Sequence, residues 1–176
     1  FGKSHLATTY VKTIYIDNYD NILVGGIGGA TELKFNSDGE ISRRNYFRNK
    51  RFKTFNINYI YKDAKNKLWA ATNTRGLYKL DGKVFKKIRI SKKDEFSMVN
   101  SILEDDDGSL WLSTDKGIVK YNTKTEKSFI YNQNNIITNS DFRQNSGLKI
   151  NDQFFFGHLY GVTTFNPKKT PIKTKI

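Results

Sequence analysis

One phrase, worn to different degrees, occurs four times along this chain of 176 residues, and few folds accommodate such a repeat. It is clearest from Ser101 to Tyr121 (SILEDDDGSLWLSTDKGIVKY), with earlier copies at Thr13 to Leu33 and Tyr59 to Leu80 and a later one at Ser146 to Asn166. Each reads as a short apolar stretch, a polar turn with Asp or Asn, a hydrophobic pair ending in Trp or its substitute, a small residue, then Gly and an alternating run. The acids Asp17, Asp63 and Asp105 lie 46 and 42 residues apart, and the large residues Leu23, Trp69, Trp111 and Phe154 lie 46, 42 and 43 apart. The small residues Gly26, Thr72, Thr114 and Gly157 are aligned at the same three intervals, with Gly29, Gly76, Gly117 and Gly161 close behind. True repeats keep their spacing at several positions at once.

A period in the low forties, filled by strand-length apolar runs, predicts an all-β fold: a β-propeller of about four four-stranded antiparallel blades. In the third copy the strands are expected at Val99 to Glu104, Ser109 to Ser113, Gly117 to Asn122 and Lys127 to Asn132, each bounded by turn residues. Asp38-Gly39 and Asp81-Gly82 mark tight hairpins between third and fourth strands. Thirteen Phe and ten Tyr against one Met favour pleated surfaces over helix packing. The absence of Cys removes disulfides, thiol catalysis and thiolate zinc sites, and no apolar stretch approaches the roughly 20 residues that cross a bilayer as helix.

The blades are expected at about residues 10–55, 56–96, 97–140 and 141–167, with 168–176 as an exit linker. The fourth copy is expected to hold three strands only, because Pro167 to Pro171 interrupts any continuation. An incomplete blade and a poor partner strand at Phe1 to Ala7 lead us to expect a larger, seven-bladed type of ring, completed by sequence before Phe1.

The phrase ILEDDDGSLWLSTDKGIVKYN (Ile102 to Asn122), followed by FFFGHLYGVTTFNPKK (Phe154 to Lys169), resembles the two-component regulator propeller repeat. It is similar in particular to the final blades of the periplasmic sensor region of hybrid two-component systems of Bacteroidetes-type bacteria. The resemblance implies a periplasmic ligand sensor that binds glycan-derived oligosaccharide, followed by an immunoglobulin-like domain, a membrane span and a histidine kinase that feeds a phosphorelay. It implies no enzyme within these residues, no cofactor, and partners that include the remaining blades and that immunoglobulin-like domain; a homodimer stays open. A propeller-fold lyase or other carbohydrate-active enzyme, and a protein-binding scaffold, are the alternatives. The first copy departs from the pattern, with Leu23 for Trp and the run Gly25 to Ala30.

Other motifs read as structural. Trp69 and Trp111 recur at one blade position and are expected in intersheet cores. Glu104 to Asp107 lack the ligand spacing of a calcium loop, so no metal is assigned. The run Gly25 to Gly29 is followed by more strand and not by the helix a dinucleotide fingerprint opens. His5 and His158 are the only histidines, and neither sits in a nucleophile-base pattern.

In a four-stranded meander the second-to-third and fourth-to-first connections emerge on one face. That face is expected to carry Ile27-Gly28, Asn73 to Arg75, Asp115-Lys116 and His158 to Tyr160, with the loops Arg48 to Asn56, Ile90 to Phe96 and Asn132 to Asp141. Loops on a rigid scaffold are the usual place for recognition. The candidate ligand residues are therefore Arg75, Arg143, His158 and Tyr160: Tyr stacks on sugar rings, and Arg grips carboxylate or sulfate. Thirty Lys and Arg against seventeen Asp and Glu leave a net charge of +13. The cations are spread along the chain, which argues against a nucleic-acid site; the densest group, Arg43, Arg44, Arg48, Lys50, Arg51 and Lys53, is the candidate patch for an acidic ligand or partner.

Overall fold

A computed structural model describes residues 6–8, 10–46, 55–82, 84–90, 98–132, 141–169 and 173–175. Among the described residues there is no helix, and sixteen strands form four antiparallel four-stranded sheets. Blade 1 comprises β1 (Tyr10–Ile16), β2 (Ile22–Ile27), β3 (Gly29–Phe35) and β4 (Ile41–Tyr46). Blade 2 comprises β5 (Ile57–Lys62), β6 (Leu68–Thr72), β7 (Leu77–Asp81) and β8 (Val84–Ile88). Blade 3 holds β9 (Val99–Glu104), β10 (Ser109–Thr114), β11 (Gly117–Asn122) and β12 (Ser128–Tyr131); blade 4 holds β13 (Phe142–Ile150), β14 (Gln153–His158), β15 (Gly161–Phe165) and β16 (Lys173–Lys175). Each sheet is a meander with strands in chain order. The propeller of four-stranded antiparallel blades is thus the observed fold.

Successive side chains of a strand point to opposite faces, so the second strand of an inner blade serves two neighbours. Leu68 and Ala70 pack toward blade 1 with Leu23, Phe55 and Ile60, whereas Trp69 and Ala71 pack toward blade 3 with Ile102, Leu110 and Leu112. One blade further along, Trp111 joins Leu103 and Ile118 against Phe142, Phe154, Phe156 and Phe165 of blade 4. Burial on both faces explains why β6 (LWAAT) and β10 (SLWLST) are buried throughout and do not alternate. Three such cores join four blades in a row, and no core cluster of described residues returns from blade 4 to blade 1. Tyr10, Ile14 and Ile16 on blade 1 and Leu148 and Ile150 on blade 4 lie exposed on the two end sheets.

Two expectations are corrected. Blade 4 has a fourth strand: β16 pairs with β15 (Val162 opposite Lys175), so the Pro167 to Pro171 interruption lengthens a connection without ending the blade. The fourth copy is also shifted by one residue from the alignment expected. Thr114 closes the β10–β11 hairpin opposite Gly117, and the residue that does so in blade 4 is His158, opposite Gly161. Phe155 is therefore the counterpart of Trp111, while Phe154 faces the opposite way, into the core shared with blade 3. The cause is a two-residue insertion in β13 combined with a first turn one residue shorter than that of blade 3.

Two glycines at the hairpins between second and third strands have a steric reason. A Cβ on Gly117, at φ 122, would collide with the Tyr131 carbonyl, and one on Gly26 would collide with the Tyr10 carbonyl. Gly25 to Gly29 is accordingly a hairpin between β2 and β3, and strand follows it.

Candidate functional site

The two faces of the blade row differ in what their polar groups do. On the face of the first turns, each Asp is consumed by structure. Asp105 Oδ1 accepts from the N–H groups of Asp107 and Ser109, while Oδ2 accepts from Trp111 Nε1 at 2.8 Å and pairs with Lys120 at 3.2 Å. Asp63 does the same for Lys65, Lys67 and Trp69. Lys79 and Lys120, opposite these two Trp residues, lie over their rings at 5.1 Å. The recurring Asp, Trp and Lys are one unit that folds the turn onto the core.

Blade 1 keeps the Asp but has Leu23 for Trp and Glu32 for the Lys, which would set two carboxylates together. Lys62 reaches over from blade 2 and pairs with Asp17 at 2.6 Å and Glu32 at 3.0 Å, with side chains only 11%, 1% and 4% exposed respectively. Burial alone would raise the Asp17 carboxyl, but hydrogen bonds from Lys62, from the Asn21 side chain and from the backbone N–H groups of Asn21 and Tyr19 outweigh it. The carboxyl is held well below the usual range, and Lys62, despite its burial, is raised by both acids.

The same face carries an open groove of about 500 Å³ lined by Tyr61, Lys65, Glu104, Asp106, Lys124 and Lys149 among others. Three of its acids, Glu104, Asp105 and Asp106, are engaged. Glu104 Oε2 accepts from the Tyr61 hydroxyl and the Ala64 N–H, and Asp106 pairs with Lys149 at 3.0 Å and Lys168 at 2.7 Å. Burial and the adjacent Glu104 push the Tyr61 hydroxyl far above its ordinary pKa.

The opposite face holds the candidates read from the sequence. Arg75 sits in the β6–β7 turn with its guanidinium 5.2 Å from the Phe55 ring centre, so its chemistry is partly spent on packing. Thr72 and Thr114 each accept from a turn N–H (Arg75, Lys116) and donate to a following glycine carbonyl (Gly76, Gly117). His158 occupies that same place: its Nδ1 accepts from the Tyr160 N–H, its ring packs edge-on to Phe142, and it is 9% exposed. In the neutral ring the proton then lies on Nε2, which has no partner among the described residues. Tyr160 is exposed beside it.

Arg143 belongs to a set that sequence reading missed. Lys12, Asn58, Asn100 and Arg143 each stand at the bulge of a first strand. Asn58 Nδ2 donates to the Val99 carbonyl at 3.1 Å and Asn100 Nδ2 to the Phe142 carbonyl at 3.0 Å, so each of these buried amides ties its blade to the next. The signal was present, since Asn58 and Asn100 share the 42-residue interval of the Trp pair. In blade 1 Lys12 instead donates to Gln144 Oε1 at 3.1 Å, and Gln144 Nε2 donates to Asn73 Oδ1 at 3.0 Å. Residues of blades 1, 2 and 4 thereby meet on the inner side of the face that carries Arg143, His158 and Tyr160.

Of the basic patch, only Arg43 and Arg44 are among the described residues, and neither joins this group. Arg43 and Arg44 lie exposed on β4, the outermost strand of blade 1; Arg48, Lys50, Arg51 and Lys53 lie outside the described residues. Lys86 and Lys87 hold the equivalent strand in blade 2, and β16 reads KTK. Cationic outer strands discourage edge-to-edge pairing.

Blade geometry, repeat spacing and the Asp–Trp unit define the class, a β-propeller, and the two-component regulator propeller family model matches its residues 95–116. The chain is 30% identical over 171 residues to histidine kinase P4 of Formosa agariphila, a match covering 94% of this chain and 12% of that protein. It is similar to the extracellular domain of a hybrid two-component system from B. thetaiotaomicron at 27% identity and a TM-score of 0.74, covering 93% of this chain and 22% of that one. It thus spans only a small part of either relative. Virginiamycin B lyase from Staphylococcus aureus shares the fold at 14% identity and a TM-score of 0.66, covering 94% of this chain and 55% of the lyase.

Proposed function

We propose that this chain is part of the extracytoplasmic ligand-sensing propeller of a hybrid two-component receptor. Its place is the periplasm, its ligand a glycan-derived oligosaccharide with an acidic group, and its output a histidine kinase in the same polypeptide. The observation that carries this reading is the similarity, along 94% of the chain, to a histidine kinase. Further blades on the two exposed apolar end sheets and an immunoglobulin-like domain after the last strand, β16, complete the arrangement. The described residues favour binding over catalysis. His158 is buried with Nδ1 engaged in a turn, and Glu104, Asp105 and Asp106 along the groove are each paired or hydrogen-bonded.

The test is a thermal-shift screen of the full-length receptor's extracytoplasmic region against neutral and acidic oligosaccharides at low and high salt. A ligand present at about a hundred times its Kd adds roughly 2.7 kcal/mol, a rise of about 5–10 °C for a cooperative unit of about 150–250 residues and less for a larger one. The expected hit is acidic and weakens with salt, as screened charge contacts do. A folded protein that no saccharide shifts would favour a protein-binding scaffold, and cleavage of a ligand during incubation would favour a lyase.

A further inference from the structure

Blade 4 departs from its neighbours at one place. In blades 1, 2 and 3 a single extra residue interrupts the pairing of the first strand with the second. In blade 4 the interruption runs from Phe142, opposite His158, to Gly147, opposite Phe156. Arg143 takes the place of Asn58 and Asn100, Ser146 takes that of Ser101, and Gln144 and Asn145 are additional. Asn145 adopts φ 55, the left-handed conformation that Asn tolerates and that lets the inserted pair turn out of the strand. Enlarged bulges re-aim side chains at rims and sites.

The inserted side chain is not used as its neighbours use theirs. Asn58 and Asn100 commit their amides to buried backbone carbonyls. Gln144 forms two exposed side-chain bonds, one to Lys12 and one to Asn73, which a ligand can replace at little cost. Arg143 beside it is exposed and forms no hydrogen bond or ion pair among the described residues, so its guanidinium fork is available to solvent. Two amides, an ammonium and a guanidinium thus converge from three blades on the inner side of one face. Paired amide donors and acceptors suit the vicinal hydroxyls of a sugar ring, and the two cations suit a carboxylate or sulfate on it.

We propose that the insertion Gln144-Asn145, with Arg143, Lys12 and Asn73, forms the recognition site for an acidic sugar on the inner side of the propeller. The proposal rests on the ligand-sensing reading and narrows it to residues that the repeat pattern does not require. The experiment is calorimetric titration of the full-length protein with oligogalacturonates, heparin-derived oligosaccharides and neutral xylo-oligosaccharides. Three variants are compared with wild type: Gln144→Ala, Arg143→Gln, and deletion of Gln144-Asn145, which restores the bulge length of blades 2 and 3. For the saccharide that wild type binds, the two point variants are expected to weaken affinity tenfold or more and the deletion to abolish it, with melting temperatures within a few degrees of wild type. Lys34→Gln, an exposed cation on β3, is expected to bind as wild type. Affinity within twofold of wild type in both point variants overturns the site while leaving the sensing function standing. Binding of no saccharide by wild type overturns the function and the site together. The point variants decide the matter even where the deletion fails to fold.

Discussion

Replacing Lys62 by Met tests the account of blade 1 most directly. The variant keeps the length and apolar stem of the side chain and leaves Asp17 and Glu32 facing each other, nearly inaccessible, with no cation between them. Breaking a buried ion pair by removing one partner costs about 3–5 kcal/mol. An independent route gives a similar figure: two close buried carboxylates cannot both stay ionised, so one takes up a proton, and doing so at pH 7 against an ordinary carboxyl pKa near 4 costs about 4 kcal/mol. Wild type and variant differ in their pH dependence. The Asp17 carboxyl of the wild type is held low, so its contribution is fully present above the unfolded value near 4 and is lost only as pH falls below it, leaving wild type flat in this respect between pH 7 and 5. In the variant the shared carboxyl is raised, so the deficit shrinks by about 1.4 kcal/mol per unit of acidification, to about 1.5 kcal/mol at pH 5. Urea unfolding followed by the fluorescence of Trp69 and Trp111 at the two pH values reads both numbers. A loss below about 1 kcal/mol at pH 7, or an equal loss at pH 7 and 5, would refute the reasoning; combining the change with Asp17→Asn should recover most of the stability.

The remaining predictions concern the other repeat elements. Asp105→Asn is expected to cost about 2–3 kcal/mol, because whichever way the amide turns, its NH2 faces either the Trp111 indole N–H or the turn N–H groups and leaves a buried donor unpaired; chemical denaturation measures it. Asn100→Ala should cost about 1–3 kcal/mol by stripping the Phe142 carbonyl of its donor, and should loosen blade 4 first, seen as faster amide exchange in β13 than in β9. Gly117→Ala should lose at least about 2 kcal/mol, since the methyl meets the Tyr131 backbone at a positive φ; an unchanged denaturation midpoint would contradict the hairpin geometry. The Asp106 carboxyl, held by hydrogen bonds from Lys168 and Lys149, should titrate at about 2 by NMR, yet Lys168→Ala should leave the denaturation midpoint unchanged because the pair is exposed.

The repeat interval, the strand-length runs and the turn residues are local, and they were sufficient to specify a propeller of four-stranded blades with strand limits in the third copy correct to within a residue or so. The Asp and Trp of that copy announced a folding unit because their spacing recurs. What the sequence alone did not disclose depends on which way a side chain points once two sheets meet. The alternation of strand faces turns a shift of one residue into a change of neighbour, so Phe154 and Phe155 could be told apart only by pairing. Lys62 could not be matched with Asp17 and Glu32 from the chain, because it belongs to another blade and replaces a cation that blade 1 lacks at its own position. Gln144 looked like ordinary strand, and became a candidate for recognition only when register showed it to be extra and packing carried Lys12 and Asn73 to it across three blades. The order of strands was therefore decided by local sequence, and the grouping of polar residues at the inner side by tertiary structure, because period and turn chemistry act over a few residues while a site is assembled from side chains 71 and 132 positions apart.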